Sequence, residues 1–475
     1  MNVSFLQELL NSVAEQGRQL LPRSLRGSGR ADDITELASA LSSNRGEASG
    51  VAIARELLQL YRSLDPADRL AFLKYLARTM QPDPAEVARA AKAYLSGPDT
   101  TSLRALQHAV ESPRLEFFRR LNLAPGATAE IVAMRSDLIT IGDPSLAPLD
   151  SDLRHLLSSW FNRGFLVLRR IDWHTPATIL DKIIAYEAVH EIKGWDDLRR
   201  RLDPDDRSCF AFFHPSLIDE PLIFVEVALM DNVPGVIGDV LCEAPKSGEG
   251  ARNPNTAVFY SISNCQEGLR GISFGNFLIK QVVEDLVKER PSLKTFVTLS
   301  PTPNFADWLD AVLASADNGR LVTPEERERL TVLADPNWSA SEAVADALKP
   351  VLLRLAAHYF LTEKAGDGRP LDAVARFHLG NGARLERINW LGDASPKGLK
   401  EAHGLMVNYR YELKDIEKNH EAYANDGLVA ASRQVHALLK RAKPRHEPAG
   451  TTTKLLQIAR LRPPKPATEQ PEGAS

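Results

Sequence analysis

The chain reads as a helical N-terminal bundle followed by an α/β domain built on a mixed sheet. Two observations carry that reading. Through residues 1–150, segment after segment shows apolar residues at three- and four-residue spacing. From about residue 150, short runs of β-branched and aromatic residues begin to alternate with helical stretches.

Spacing predicts helices over 4–21, 31–43, 51–64, 66–80, 84–95 and 100–111. Asp65-Pro66 and Asp83-Pro84 are helix-start signals, while Pro113 and Pro125-Gly126 are expected to punctuate the end of the region. Strands are expected at 164–172, 209–214, 222–230, 256–263, 295–300, 373–379, 384–390 and 405–413, with helices at 178–189, 274–289 and 339–363. Asn381-Gly382 reads as a two-residue hairpin turn. Residues 443–475 are rich in proline and poor in large apolar groups, a composition expected of a flexible tail with a short helix near 453–461. The expected division is 1–150, 151–442 and 443–475.

With 475 residues, 44% hydrophobic and 25% charged, the chain has the makeup of a soluble multidomain protein. A net charge of −4 gives no reason to expect a nucleic acid or an anionic membrane as partner. No apolar run approaches the about 20 residues that span a bilayer. The N-terminus lacks a basic secretory leader, and Glu-Gly-Ala-Ser at the C-terminus is not a peroxisomal address. Cys209, Cys242 and Cys265 are too few and too scattered for a disulfide framework or a zinc cage. A cytoplasmic location is the expectation. Walker, zinc and dinucleotide motifs are absent from the sequence.

Between the strand at 256–263 and its following helix lies Arg270-Gly271-Ile272-Ser273-Phe274-Gly275-Asn276. A glycine-bearing loop that opens a helix aims several backbone N–H groups one way, with the positive end of the helix dipole behind them. Such a nest suits a pyrophosphate. The order resembles the coenzyme A loop of the acetyltransferase (GNAT) superfamily, with Ser273 where that superfamily usually has glycine.

Other groups concentrate after residue 200. His214, before a proline at a strand end, reads as a satisfied sheet histidine or as a substrate-orienting one, and Asp219 and Glu220 as turn residues. Thr302 reads as a helix N-cap with Pro303 as first helical residue. Ser300 then has two readings, a hydroxyl serving the backbone at a helix entrance or one held at a strand end beside a cleft. His378 in a strand would share a face with Val374 and Arg376, and histidine can deliver a proton near neutral pH. Tyr409 and Tyr411 share a face, as core residues or with a phenol reaching the cleft.

Seven collinear segments carry a more specific resemblance: WHTPATIL, EAVHEIKGWDDLRRRL, CFAFFHPSLIDEPLIFVEVALM, FYSISNCQEGLRGISFGNFLIKQVVEDL, LSPTPNF, RFHLGNGARLERINW and GLMVNYRYEL. In this order they closely resemble the malonyl-CoA decarboxylase family, over about 160–415 and more loosely through the helical region. The resemblance implies an oligomerising helical domain and a GNAT-like catalytic domain that converts malonyl-CoA to acetyl-CoA and CO2. It puts catalytic roles on Ser300 and His378, a substrate-facing phenol on Tyr411, and CoA contacts on Arg270 through Asn276. Some relatives carry glutamate where this chain has Ser273, so no acid role is expected there.

The chemistry fits these groups. Loss of CO2 leaves an enolate whose electrons the thioester carbonyl accepts, so neither metal, pyridoxal nor biotin is required. A donor preorganised at the growing oxyanion is worth about 3–4 kcal/mol, and proton transfer contributes a further factor of about 10²–10⁴. Ser300 is expected to fix the malonyl group, and a protonated His378 to stabilise and protonate the enolate. A route with Ser300 as nucleophile ranks lower, because decarboxylation needs no acyl-enzyme. Two other readings remain at this stage: an acyltransferase using the same CoA loop, and a silent CoA-binding scaffold.

Overall fold

The computed structural model describes residues 31–43, 46–241, 254–272, 274, 278–315 and 321–440. They form two compact units. One takes in residues up to 188 with 210–224 and 263–275; the other takes in 189–209, 225–262 and 276 onward. The helix expected at 4–21 and the tail at 443–475 lie outside the described residues.

The first unit begins with helices α1 (Ala31–Ser42), α2 (Glu47–Ser63), α3 (Pro66–Thr79), α4 (Pro84–Ser96) and α5 (Thr100–Val110), where periodicity puts them. Asp65 accepts from the Asp68 amide and Asp83 from that of Ala85, each ahead of a proline at the first helical position. Pro113 and Pro125-Gly126 do not close the region. Proline lacks the N–H that a first-turn residue leaves unused, so Pro113 starts α6 (Pro113–Leu121), capped by Ser112. Helices α7 (Ala127–Ile141) and α8 (Ala147–Trp160) follow.

Phe72, Phe117, Phe118, Leu153 and Leu157 are buried among these helices. Buried cations there are paired: Arg114 Nε lies 2.6 Å from Asp152, and Arg135 Nε 2.8 Å from Asp150. Arg135 Nη1 also donates to the Gly268 carbonyl at 2.7 Å. Gly268 approaches α7 so closely that a Cβ there would lie 1.9 Å from the Val132 carbonyl oxygen. Gly268→Ala is therefore expected to cost about 2–4 kcal/mol, read as a lowered thermal midpoint. Gly50→Ala, where nothing lies within 4 Å, is the control and should leave it unchanged or raised.

The remaining elements are β1 (Val167–Ile171), α9 (Ala177–Tyr186), α10 (Trp195–Leu202), β2 (Arg207–His214), β3 (Leu217–Met230), α11 (Ile237–Leu241), β4 (Thr256–Asn264), α12 (Leu278–Glu289), β5 (Thr295–Thr298) and β6 (Ser300–Pro301). After them come α13 (Phe305–Ala314), α14 (Pro324–Leu330), α15 (Glu342–Leu361), α16 (Ala373–Gly380), β7 (Arg384–Asn389), α17 (Pro396–Ala402), β8 (Met406–Arg410), α18 (Ile416–Asp426) and α19 (Arg433–Leu438). Strands pair in the order β1-β2-β3-β4-β5-β8-β6, with β7 also on β8. The helical region followed by a mixed sheet is the architecture expected.

In the second unit β4 and β5 are parallel, in register from Thr256↔Thr295 to Phe259↔Thr298. A parallel pair needs a crossover, and α12 supplies it by burying Leu278, Ile279, Val282, Val283 and Leu286. Strand β8 runs antiparallel to β5, β6 and β7. Ala228, Val258, Tyr260, Val297, Leu299 and Met406 form a core cluster on this sheet.

Four local expectations are corrected. Residues 373–379 are helical, so the predicted strand face shared by Val374, Arg376 and His378 does not exist. The Asp372 carboxylate caps α16 by accepting from the Ala375 amide at 2.7 Å, and alanine, arginine and leucine are good helix formers. Asn381-Gly382 is accordingly no hairpin: Asn381 ends the helix and Gly382 turns the chain into β7 with φ +81. Asp219 and Glu220 sit inside β3 rather than in a turn, and Glu220 pairs with Lys182 at 2.6 Å. Thr302 is not an N-cap; its hydroxyl donates to the Leu405 carbonyl, and Asn304 occupies the N-cap position of α13.

Candidate active site

Ser300 opens the two-residue strand β6, and its antiparallel pairing with Val407 fixes the backbone. Thr298 ends β5 two residues earlier, so the two hydroxyls share a face of the sheet. Ser300 Oγ donates to Thr298 Oγ1 at 2.8 Å and lies 3.1 Å from His378 Nε2. The helix-entrance reading of Ser300 therefore gives way to a side chain held among other side chains.

His378 arrives from the last turn of α16. Its Nδ1 lies 2.8 Å from the Tyr411 hydroxyl, and its ring stacks on Tyr409 with centroids 4.5 Å apart and planes 24° from parallel. Tyr411 is carried just beyond β8, where its amide donates to the Phe296 carbonyl at 2.8 Å, and its ring meets Phe259 edge-on. Ser300, His378 and Tyr411 thus converge from three separate elements.

The group is almost dry. His378 is 2% exposed, and Ser300, Thr298, Tyr409 and Tyr411 are buried. Burial pushes the His378 imidazole down to about 3, so the ring is neutral, unlike the imidazolium expected from the sequence. Burial likewise holds the Tyr411 phenol well above its ordinary value. Asp372, which caps the helix bearing His378, is pushed up to about 6 by burial.

Buried neutral histidines make stability depend on acid. His190 is pushed down to about 4, and burial also lowers His214 and His403. An unfolded chain takes up protons at these positions as pH falls through about 6.5, while the folded one does not until much lower. Their contribution is complete above pH 6.5 and is lost on the way down. Asp372 acts in the opposite sense, favouring the fold as pH falls through about 6. Between pH 7.5 and 5.5 the four histidines outweigh it. His378 alone should account for about 1 kcal/mol, seen as a falling urea midpoint; a midpoint that holds or rises would contradict this.

Of the loop residues, Arg270, Gly271, Ile272 and Phe274 are described, and Ser273, Gly275 and Asn276 lie outside the described residues. Arg270 is exposed and pairs with Glu267 at 2.8 Å, while Ile272 and Phe274 are buried. Residues 270–275 belong to the first unit and Ser300, His378 and Tyr411 to the second. His214 is a core histidine tilted against Phe161, its ring accepting from the Ser216 amide.

Sequence reasoning did not single out Thr298 or Asp372. The signal for Thr298 was strand alternation from Ser300, and that for Asp372 was a capping residue just before Ala373. Among the described residues, no cluster of three or more His, Cys, Asp or Glu side chains has the geometry to hold a metal ion, and no helix is long and apolar enough to cross a membrane.

The malonyl-CoA decarboxylase C-terminal domain model matches residues 164–448, and the N-terminal domain model of the same family matches 80–161. The chain belongs to the malonyl-CoA decarboxylase family. It is an enzyme whose reaction is the decarboxylation of malonyl-CoA. A malonyl-CoA decarboxylase from Rhodopseudomonas palustris has a crystal structure with TM-score 0.82 at 53% identity, covering 86% of this chain and 99% of that one. One from Agrobacterium vitis gives 0.80 at 55% identity, covering 86% of this chain and 100% of that one. The mitochondrial malonyl-CoA decarboxylase of the goose Anser anser anser is 37% identical over 80% of this chain and 82% of its own length.

Proposed function

We propose that the enzyme decarboxylates malonyl-CoA without a covalent intermediate and without a cofactor, with Ser300, His378 and Tyr411 around the reacting malonyl group. The observation that carries this reading is the buried imidazole joined to both hydroxyls, Ser300 at Nε2 and Tyr411 at Nδ1. The bond between the malonyl carboxylate and C2 breaks, its electron pair enters the thioester carbonyl, CO2 leaves, and C2 takes up one proton. The thioester is the electron sink.

Ser300 holds the malonyl group so that the breaking bond overlaps the carbonyl π system, and His378, which takes up a proton from solvent as the malonyl carboxylate binds, delivers it to C2 and returns to the neutral imidazole. A neutral imidazole can polarise a carbonyl without carrying charge. A bound malonyl carboxylate, brought into this dry site, would raise the proton affinity of His378, and its departure as CO2 would release that bias. Arg270 through Asn276 bind the phosphates of CoA, with Arg270 as the exposed cation.

The division at 1–150, 151–442 and 443–475 belongs to the same proposal, as does a cytoplasmic location. The helical region assembles copies of the chain: α4 has no buried residue, Leu95 is 78% exposed, and Leu103 and Val110 of α5 are exposed as well. Sedimentation of the full chain as a monomer would remove that element.

The test of the chemistry is direct. Purified protein, dialysed against chelator, is incubated with malonyl-CoA, and acetyl-CoA is followed by mass. Undiminished acetyl-CoA formation is expected; loss restored by a divalent metal would overturn the cofactor-free reading.

A further inference from the structure

Strand β8 meets β5 at Val297↔Arg410 and β6 at Ser300↔Val407, one continuous register that is interrupted between them. At the interruption, side chains replace the missing ladder bonds. Thr298 Oγ1 accepts the Tyr409 amide at 3.1 Å, and Asn408 Nδ2 donates to the Thr298 carbonyl at 2.7 Å. Asn408 is fully buried, and its Oδ1 accepts from Arg387 Nε and Asn389 Nδ2. Thr298 is therefore fixed on both its carbonyl and its hydroxyl, and that hydroxyl is the partner of Ser300 Oγ.

Four groups form a line: Tyr411 hydroxyl, His378 Nδ1 and Nε2, Ser300 Oγ, Thr298 Oγ1. Two proton arrangements satisfy it. In one every donor points toward Thr298; in the other every donor points toward Tyr411. Each leaves one terminal O–H without a partner in the line. A phenol is a stronger donor and a weaker acceptor than an alcohol, so the phenol should donate, into the imidazole nitrogen. That places the imidazole proton on Nε2, facing Ser300, and turns the Ser300 proton toward Thr298.

We infer that Thr298 is a positioning residue that, with the Tyr411 phenol donating at the other end, sets the direction of this chain: as the terminal acceptor it holds the Ser300 proton away from His378, so that the imidazole proton stays on Nε2 and Ser300 is not deprotonated. The inference rests on the proposed roles of Ser300 and His378 and adds the reason Ser300 is not a nucleophile.

The test uses full-length protein labelled with ¹⁵N-histidine, the His378 signals being assigned by their loss in His378→Gln. Nitrogen shifts distinguish a protonated from an unprotonated ring nitrogen. The parent should show Nε2 protonated and Nδ1 bare. In Thr298→Val, which keeps the shape and removes the acceptor, the Ser300 proton turns to Nε2 and the tautomer should switch to Nδ1–H. kcat should fall at least about tenfold with KM little changed, and Thr298→Ser should restore both. In a Ser300→Ala background Thr298→Val should add nothing further.

Nδ1–H in the parent, or no switch in folded Thr298→Val, would overturn the inference; that parental measurement decides even if the variant does not fold. An additive loss on Ser300→Ala would also overturn it while leaving the catalytic roles intact. Full activity in Ser300→Ala would instead sink the reading on which it rests.

Discussion

Replacing His378 by alanine is expected to lower kcat by about 10³–10⁴-fold while KM for malonyl-CoA changes by less than about threefold. The asymmetry follows from what the side chain touches. His378 contacts Ser300, Tyr409 and Tyr411, while the CoA phosphates are proposed to bind elsewhere, at the loop of residues 270–276. Removing it takes away the proposed proton donor and leaves two buried hydroxyls short of a partner. Binding through the CoA moiety should survive. Since the ring is buried, circular dichroism and thermal unfolding must first show a folded variant. A folded variant with kcat within about tenfold of the parent would remove His378 from the chemistry.

Ser300→Ala is expected to cost about 10²-fold in kcat, less than loss of His378. The variant loses the hydroxyl proposed to hold the malonyl group, but the thioester still accepts electrons and His378 still has Tyr411 at Nδ1. A nucleophilic serine behaves otherwise: deleting it costs about as much as deleting the whole catalytic group, on the order of 10⁶-fold. The ranking of the two variants therefore separates the mechanisms. Ser300→Ala at or below the activity of His378→Ala would favour an acyl-enzyme.

Much of this was legible in the sequence because it was written in local patterns. Helices α1–α5 follow from three- and four-residue spacing, and Asp65-Pro66 and Asp83-Pro84 cap where a cap was expected. The β4–loop–α12–β5 unit follows from a β-branched run and an amphipathic helix. Short segments were harder. AVARFHL supports either a strand or two helical turns, and the choice is made by Asp372 accepting from the Ala375 amide and by Gly382 meeting Ile416, where a Cβ would lie 2.3 Å from the carbonyl oxygen. Both are tertiary or capping facts that alternation does not register.

The residues of the proposed site could be named from the sequence, but not the hydrogen bonds between them. Ser300, His378 and Tyr411 were named on family motifs, and the structure puts Ser300 and Tyr411 each within hydrogen-bond reach of His378. The neutrality of His378 was not readable, because charge depends on burial, and burial of a residue at a helix end is set by what packs over it. Thr298 escaped notice because threonine in a strand is ordinarily a β-former, and its hydrogen bonds depend on the register between β5 and β8.

The central claim is that CO2 leaves from a malonyl thioester that never becomes attached to the protein. The most direct measurement is the intact mass of the enzyme, quenched with acid during steady turnover at saturating malonyl-CoA. The unmodified chain alone is expected, at every time point, while acetyl-CoA accumulates. A malonyl or acetyl increment that maps to Ser300, and that forms and decays fast enough to account for turnover, would contradict the account.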